Sequence, residues 1–239
     1  MNLQYLNETC NCMPIDPGKV ADTIAGASLA LQTSLAQRPV MFAGSPVFLS
    51  PADVSGMQVL VSSIEQVLHT PEFEQHFFQR CNDQHNEVAQ LICRGESTPG
   101  LFMGYDFHMT RKGPRLIEIN TNAGGAFIVH NLYNSLSDMP VCGEKWGGAS
   151  DPAWMFNMVI KEWHHAGRQG IPQTLAIVDD APQTQFLHPD FVLAQQYFEG
   201  YGIQVSVADP AEMKFHNGSL TLNGEVINLV YNRLTDFYF

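Results

Sequence analysis

The sequence predicts an α/β chain: a helical N-terminal region with an antiparallel hairpin over residues 1–170, then a small α/β unit with the character of a substrate-binding domain over residues 171–239. Three observations predict it. Apolar residues recur at helical spacing between 18 and 92, the pattern changes to strict alternation between 101 and 120, and buried-strand runs flank a helix after residue 172. The chain has 239 residues and is 45% hydrophobic, enough to bury a core in one large domain or two small ones.

Residues 1–17 read as irregular. Residues 18–37 are rich in Ala and Leu and predict one helix, stopped at Arg38-Pro39 because proline disfavours helix in the residue before it. Ser50-Pro51 opens a second helix, with Ser capping free amides and Pro suiting the first turn. Val54, Met57, Leu60, Val61, Ile64 and Leu68 follow at helical spacing. Pro71 begins a third helical stretch, to about Ile92. Leu101 to Met109 alternates, Arg111-Lys-Gly-Pro114 is turn chemistry, and Arg115 to Asn120 alternates again, which together predict a hairpin. Asn122-Ala-Gly-Gly125 is a loop able to approach a ligand closely. Helices are expected over 126–136 and 154–168, with a loop over 140–152. The last unit reads as a strand at Thr174–Val178, a helix at Pro189–Glu199, and strands at 203–207, 219–222 and 226–231, with a hairpin turn at Asn223-Gly224.

Composition limits the function. Twelve Lys+Arg against 24 Asp+Glu give a formal charge of −12. Phosphate backbones and anionic membrane surfaces recruit cations, so neither nucleic acid nor a membrane is an expected partner. The N-terminus has no secretory signal and no apolar run is long enough to span a bilayer, so the cytoplasm is the default location. Only 15% of residues are charged, against about 25% usual for a globular chain. Part of the surface is therefore expected to face another segment or a second copy of the chain. Five cysteines do not read as a disulfide framework. Cys10-Asn-Cys12 has too short a spacing and too few neighbours for zinc, and reads as reduced thiols.

Residues two apart on a strand share a face. Glu118 and Asn120 therefore point together, with Leu116 on their side and Ile117 and Ile119 opposite, toward the core. Asp106 and His108 share a face of the partner strand. If the polar faces coincide, Glu118, Asn120 and Asp106 form an oxygen set suited to Mg²⁺, which keeps waters and phosphates as its other ligands. The alternative is an ordinary solvated hairpin face. Asp179-Asp180 end the first strand of the small unit, where open α/β sheets collect ligands, or else they cap and solvate a turn. Arg233 follows the last strand and either clamps a substrate carboxylate or pairs with Asp236. His164 and His165 are adjacent on a helix and face apart, which argues against a shared metal. No phosphate loop, dinucleotide glycine motif or nucleophile elbow occurs.

Met103-Gly-Tyr-Asp-Phe107, Leu116-Ile-Glu-Ile-Asn-Thr121 and Gly124-Gly125 resemble the eukaryotic-type glutathione synthetase family. Gly218 to Arg233 is similar to the last strands of that family's substrate-binding domain. Circularly permuted ATP-grasp relatives, including glutathionylspermidine synthetase-like ligases, share a looser version, and the likeness covers about residues 85–239. The resemblance implies an ATP-grasp carbon–nitrogen ligase, in which ATP phosphorylates a carboxylate and an amine displaces the phosphate. It implies that Glu118 and Asn120 hold Mg²⁺ against ATP, that Asn122, Gly124 and Gly125 line the substrate, that Asp179-Asp180 lie near a substrate-contacting turn, and that Arg233 matches the family's substrate arginine. The family's Arg before the Asp-aromatic pair is Gly104 here, and Leu-Thr-Asp follows Arg233 in place of Asp-Gly-Tyr. A small-molecule acid or peptide other than the family's substrate is therefore expected. No Lys follows Lys214 and no glycine-rich lid appears, and the chain stops at an aromatic Phe-Tyr-Phe239. The expectation is a front part of a longer ligase that lacks its C-terminal ATP-grasp segment, holding neither ATP nor Mg²⁺ tightly by itself and inactive alone. The alternative is a stand-alone small-molecule-binding or regulatory module.

Overall fold

The computed structural model describes residues 5, 7–8, 16–42, 47–83, 101–136, 140–141, 144–145 and 151–235. The expectations for Cys10, Cys12, Trp146, Asp236 and the helix end at Ile92 lie outside them. The chain is of mixed α and β class, with an antiparallel hairpin. No helix among the described residues is long and apolar enough to cross a membrane.

The predicted helix over 18–37 is two helices, α1 (Pro17–Ala25) and α2 (Leu29–Ala36). Asp16 caps α1 through the amides of Gly18 and Lys19. Gly26 then takes a φ of 50°, open to glycine at no cost, and Ser28 caps α2. Composition alone hides such a break, because both halves are good helix formers. Helix α3 (Pro51–Leu68) begins with Ser50 and Asp53 exchanging side-chain-to-backbone bonds, and α4 (Pro71–Asp83) follows.

The hairpin comprises β1 (Gly104–Thr110) and β2 (Gly113–Asn120). Asp106 lies directly opposite Glu118, and Gly104 opposite Asn120. Between them and the turn the register slips, since Phe107 pairs with Leu116 and leaves Ile117 as an extra residue. This bulge corrects the simple alternation. Leu116 joins Ile119 on the half-buried face, and Ile117 is turned out, 55% exposed. That face packs under α3, where the Tyr105 hydroxyl donates to the Glu65 carboxylate. The polar face carries Asp106, His108, Arg115, Glu118 and Asn120.

Helix α5 (Ala126–Leu136) leads to a minimal strand pair, β3 (Pro140–Val141) with β4 (Glu144–Lys145), and to α6 (Trp154–His165). A three-stranded parallel sheet follows. Strand β5 (Thr174–Val178) lies between β6 (Gln204–Ala208) and the last strand, β10 (Leu229–Asn232), with α7 (His188–Glu199) joining β5 to β6. An antiparallel sheet of β7 (Met213–His216), β8 (Ser219–Leu222) and β9 (Glu225–Val226) is inserted before β10. Strand β7 was not expected. Its turn, Asn217-Gly218, has the same pair of positive φ angles as the predicted turn at Asn223-Gly224, so the signal was there in a second Asn-Gly pair.

One apolar core joins both halves of the chain. Val20, Leu31 and Leu35 from the first helices, Phe127 and Met155 from α5 and α6, and Phe191 and Phe198 from α7 pack with Leu175, Ile177 and Tyr231 of the sheet. The other face of the sheet packs Ala176, Val178 and Ala208 against Leu222 and Ile227. The core thus crosses the expected boundary at 170/171.

A polar link pins α2 to the turn after β5. Arg38 is 8% exposed, and its guanidinium donates to the Ser34, Gln183 and Gln185 carbonyls. It also donates to Ser34 Oγ, which shares a hydrogen bond of 2.8 Å with His188 Nδ1. Burial, and secondarily the Arg38 charge, holds His188 below its ordinary value.

Arg38→Ala leaves three carbonyls without their charged donor and is expected to cost about 3 kcal/mol in urea unfolding. A second expectation concerns pH. An imidazole with a lowered folded pKa gains its proton on unfolding, so the stability it contributes is complete above its unfolded value, near 6.5, and is lost as pH falls below it. The melting temperature should fall between about pH 7 and pH 5, and His188→Asn should shrink that fall.

Candidate functional site

The hairpin ends at the mouth of a cleft of about 850 Å³. Glu118, Asn120 and Asn122 form one wall, Val159 and Glu162 of α6 another, and β10 with Leu234 and Thr235 a third. Glu118 and Asn120 of the polar face thus border the cleft together with Ile119 of the opposite face. Asp106, opposite Glu118 across the strand pair, stands on the same face outside the cleft lining. Among the described residues, no three of His, Cys, Asp and Glu gather to form a cation cage. Glu118 and Asn120 supply two oxygens of the hard type that Mg²⁺ takes, with Asp106 beside them, which fits one half of a site completed by phosphates and water.

The loop that follows is held from two sides. Arg233 is 5% exposed. Its Nη1 donates to Asn122 Oδ1 at 2.6 Å and to the Ala123 carbonyl at 3.0 Å, and its guanidinium lies 5.5 Å from the Tyr231 ring centre. Asn122 in turn donates from Nδ2 to the Leu234 carbonyl at 3.2 Å. On the other side stands Asp190, fully buried in the first turn of α7. Its Oδ2 accepts from Gly125 N–H at 3.2 Å and its Oδ1 from Phe127 and Ile128 N–H at 2.9 Å. These amides open α5, so a carboxylate from a distant helix caps it. Burial pushes the Asp190 carboxyl up, while the three amides and Arg233 work against that shift.

Gly124 and Gly125 are needed for this arrangement. A Cβ on Gly124 would sit 2.3 Å from Leu187 Cδ1 and 2.6 Å from Arg233 Nη2. Gly125 has a φ of 85°. Behind the loop is a second, apolar pocket of about 460 Å³, lined by Gly124, Gly125, Val129, His130, Tyr133 and Trp154. Phe102 lines both cavities. The Trp154 indole N–H donates to His130 Nδ1 at 3.4 Å. Indole nitrogen only donates, so this His130 nitrogen is unprotonated, and burial lowers the ring's pKa.

The sequence-predicted residues thus divide into groups. Glu118, Asn120 and Asn122 meet at the cleft, while Gly124 and Gly125 form the floor of the apolar pocket. Arg233 lies beneath the loop, where its Nη1 donates to Asn122 and Ala123, while its buried Nε makes no hydrogen bond among the described residues. Asp179 and Asp180 stand at the carboxyl end of β5, outside the cleft lining. Asp179 Oδ1 accepts from the Asp180 amide at 2.9 Å, and burial pushes its carboxyl up. The next loop is tied by Asp209, which accepts from the Ala181 and Ala211 amides.

Sequence reasoning missed three residues. Asp190 reads as a routine acidic residue in a first helical turn, and nothing local shows that it caps another helix. Glu162 belongs to no motif, and nothing in the sequence around it points to a cleft. Tyr231 lines the cleft and is 8% exposed, and among the described residues its hydroxyl makes no hydrogen bond of ordinary geometry, although the Arg233 guanidinium stands beside it. An orphaned buried hydroxyl costs about 1–3 kcal/mol, and burial pushes this phenol up to about 12.

No family model matches the chain, and no curated protein matches it.

Gly124→Ala forces Leu187 or Arg233 out of place and is expected to lower stability by about 2 kcal/mol in urea unfolding. An unchanged midpoint would show that the loop yields freely.

Proposed function

We propose that the chain supplies the metal-binding and substrate-binding side of an ATP- and Mg²⁺-dependent carboxylate–amine ligase of the ATP-grasp kind. One observation carries the reading: Glu118 and Asn120, two apart on β2 with Asp106 across from Glu118, both line the cleft. The motif likeness to glutathione synthetases supports the same assignment. In this reading Mg²⁺ neutralises phosphate charge as the phosphoryl group moves to the substrate carboxylate. Glu118 and Asn120 hold the ion, and Asn122 borders the substrate. Arg233 acts by holding Asn122 and Ala123 in place, one step removed from the substrate.

The hairpin is suited to this work. The bulge at Ile117 fixes which face of β2 each side chain takes, and α3 backs the opposite face. The two ligand residues thus project from a braced ribbon, and little ordering remains to be done when an ion arrives.

The test is a titration of the protein with Mn²⁺, a paramagnetic stand-in for Mg²⁺, read by water-proton relaxation. Glu118→Gln and Asn120→Ala are each expected to weaken binding by roughly tenfold, while Asp22→Asn on α1 leaves it unchanged. Binding that ignores both hairpin substitutions would remove the metal role and leave the alternative, a small-molecule-binding module without catalysis.

A further inference from the structure

The cleft has an unusual wall. Among the described residues, strand β10 is at the edge of its sheet, since the order is β10-β5-β6. The Arg233 amide donates to the Val178 carbonyl, and backbone direction alternates along a strand. Tyr231 and Leu229 therefore turn their amides toward β5, and Val230 and Asn232 turn theirs away. All four residues of β10 line the cleft. The outward N–H and C=O groups of Val230 and Asn232 face this space, and among the described residues nothing hydrogen-bonds to them. An open strand edge is a template for an extended backbone.

The charge of the cleft is one-sided. Glu118 and Glu162 line it, and its described lining holds no Lys, Arg or His. Glu162 is half-buried on α6, and its carboxylate makes no ion pair among the described residues. In the ligase reading Glu118 is taken up by the ion, which leaves the half-buried Glu162 carboxylate to favour a cationic occupant. The remaining lining is mixed: Leu101, Phe102, Val159 and Leu229 form an apolar stretch, and Asn120, Thr121, Asn122, Asn232 and Thr235 supply uncharged polar groups. The Tyr231 hydroxyl, in the same wall and more than nine-tenths buried, makes no hydrogen bond of ordinary geometry among the described residues, with the Arg233 guanidinium beside its ring.

We infer that the cleft binds the amine side of the reaction as an extended, apolar peptide with a free N-terminal ammonium. Its backbone adds to the open edge of β10 through Val230 and Asn232, and its ammonium meets Glu162. This rests on the ligase reading and names the class of the amine substrate within it. Main-chain pairing supplies affinity, and the apolar walls select the side chains, as in other strand-addition sites.

The probe is L-valyl-L-valinamide, which carries one ammonium, two amides and two branched side chains, titrated calorimetrically into the whole protein. N-acetyl-L-valyl-L-valinamide tests the charge, and pentylamine tests the charge without the amides. The cationic dipeptide is expected to bind roughly tenfold more tightly than its acetylated form. Glu162→Gln should erase that difference and leave the acetylated form unaffected. Val230→Pro deletes one outward N–H at an edge position that tolerates proline. It should weaken both dipeptides and leave pentylamine as before. Equal binding of the charged and acetylated forms, or loss of neither dipeptide in Val230→Pro, would overturn the inference. So would a concentration-dependent dimer in sedimentation that Val230→Pro abolishes, because the edge would then belong to a second copy. Should Val230→Pro not fold, the Glu162→Gln comparison decides alone. Mn²⁺ binding measured on Glu162→Gln separates the two readings: intact metal binding with no dipeptide preference rejects the peptide and keeps the hairpin metal site.

Discussion

A buried carboxylate holds the site together. Asp190 enters from the first turn of α7 and takes the three amides that open α5. An unpaired carboxylate at zero exposure would be costly, and three N–H donors with the nearby Arg233 charge are what make it tolerable. The same contact fixes the start of α5 and therefore the path of Asn122–Gly125. Arg233 closes the loop from the other side through Asn122 and Ala123. With both ends set, the loop that continues β2 keeps a fixed path beside the cleft that Glu118 and Asn120 line. Removing Asp190 would leave α5 with orphaned donors and free the loop on which the cleft depends.

The clamp also explains the composition of the loop. A side chain at 124 collides with Leu187 and Arg233, and position 125 needs a backbone angle that glycine adopts freely. Packing thus accounts for a glycine at 124 and backbone conformation for the one at 125. A motif can be real and still have its cause in the fold, which is why the metal reading rests on Glu118 and Asn120 and not on the glycines. The loop also divides the space around it. On one side is the acidic cleft, on the other an apolar pocket, and Phe102 is shared by both walls.

Much of the fold was legible because its signals are local. Ser50-Pro51, the alternation across 101–120 and Asn223-Gly224 each act within a few residues and predict their elements directly. The oxygen pair on β2 was readable for the same reason, as a two-residue period. What escaped was long-range. The bulge at Ile117 depends on pairing register, so alternation placed Ile117 inside and Leu116 with Glu118, where the structure has the reverse. Arg38 read only as a helix stop, yet it ties α2 to a turn about 145 residues later in sequence. Asp190 and Arg233 act over separations of more than 60 and 100 residues. No periodicity encodes those contacts, because burial of a charge is decided by which segments meet.

Native-state hydrogen exchange at single amides tests the clamp most directly. The first amides of a helix ordinarily exchange quickly, since no carbonyl within the helix accepts from them. With Asp190 as acceptor, Phe127 and Ile128 should exchange as slowly as the amides of β5, and Asp190→Asn should accelerate both by more than its effect on β5. Exchange at those two amides as fast as at an uncapped helix start, already in the wild type, would contradict the clamp and with it the placement of Glu118 and Asn120 at the cleft.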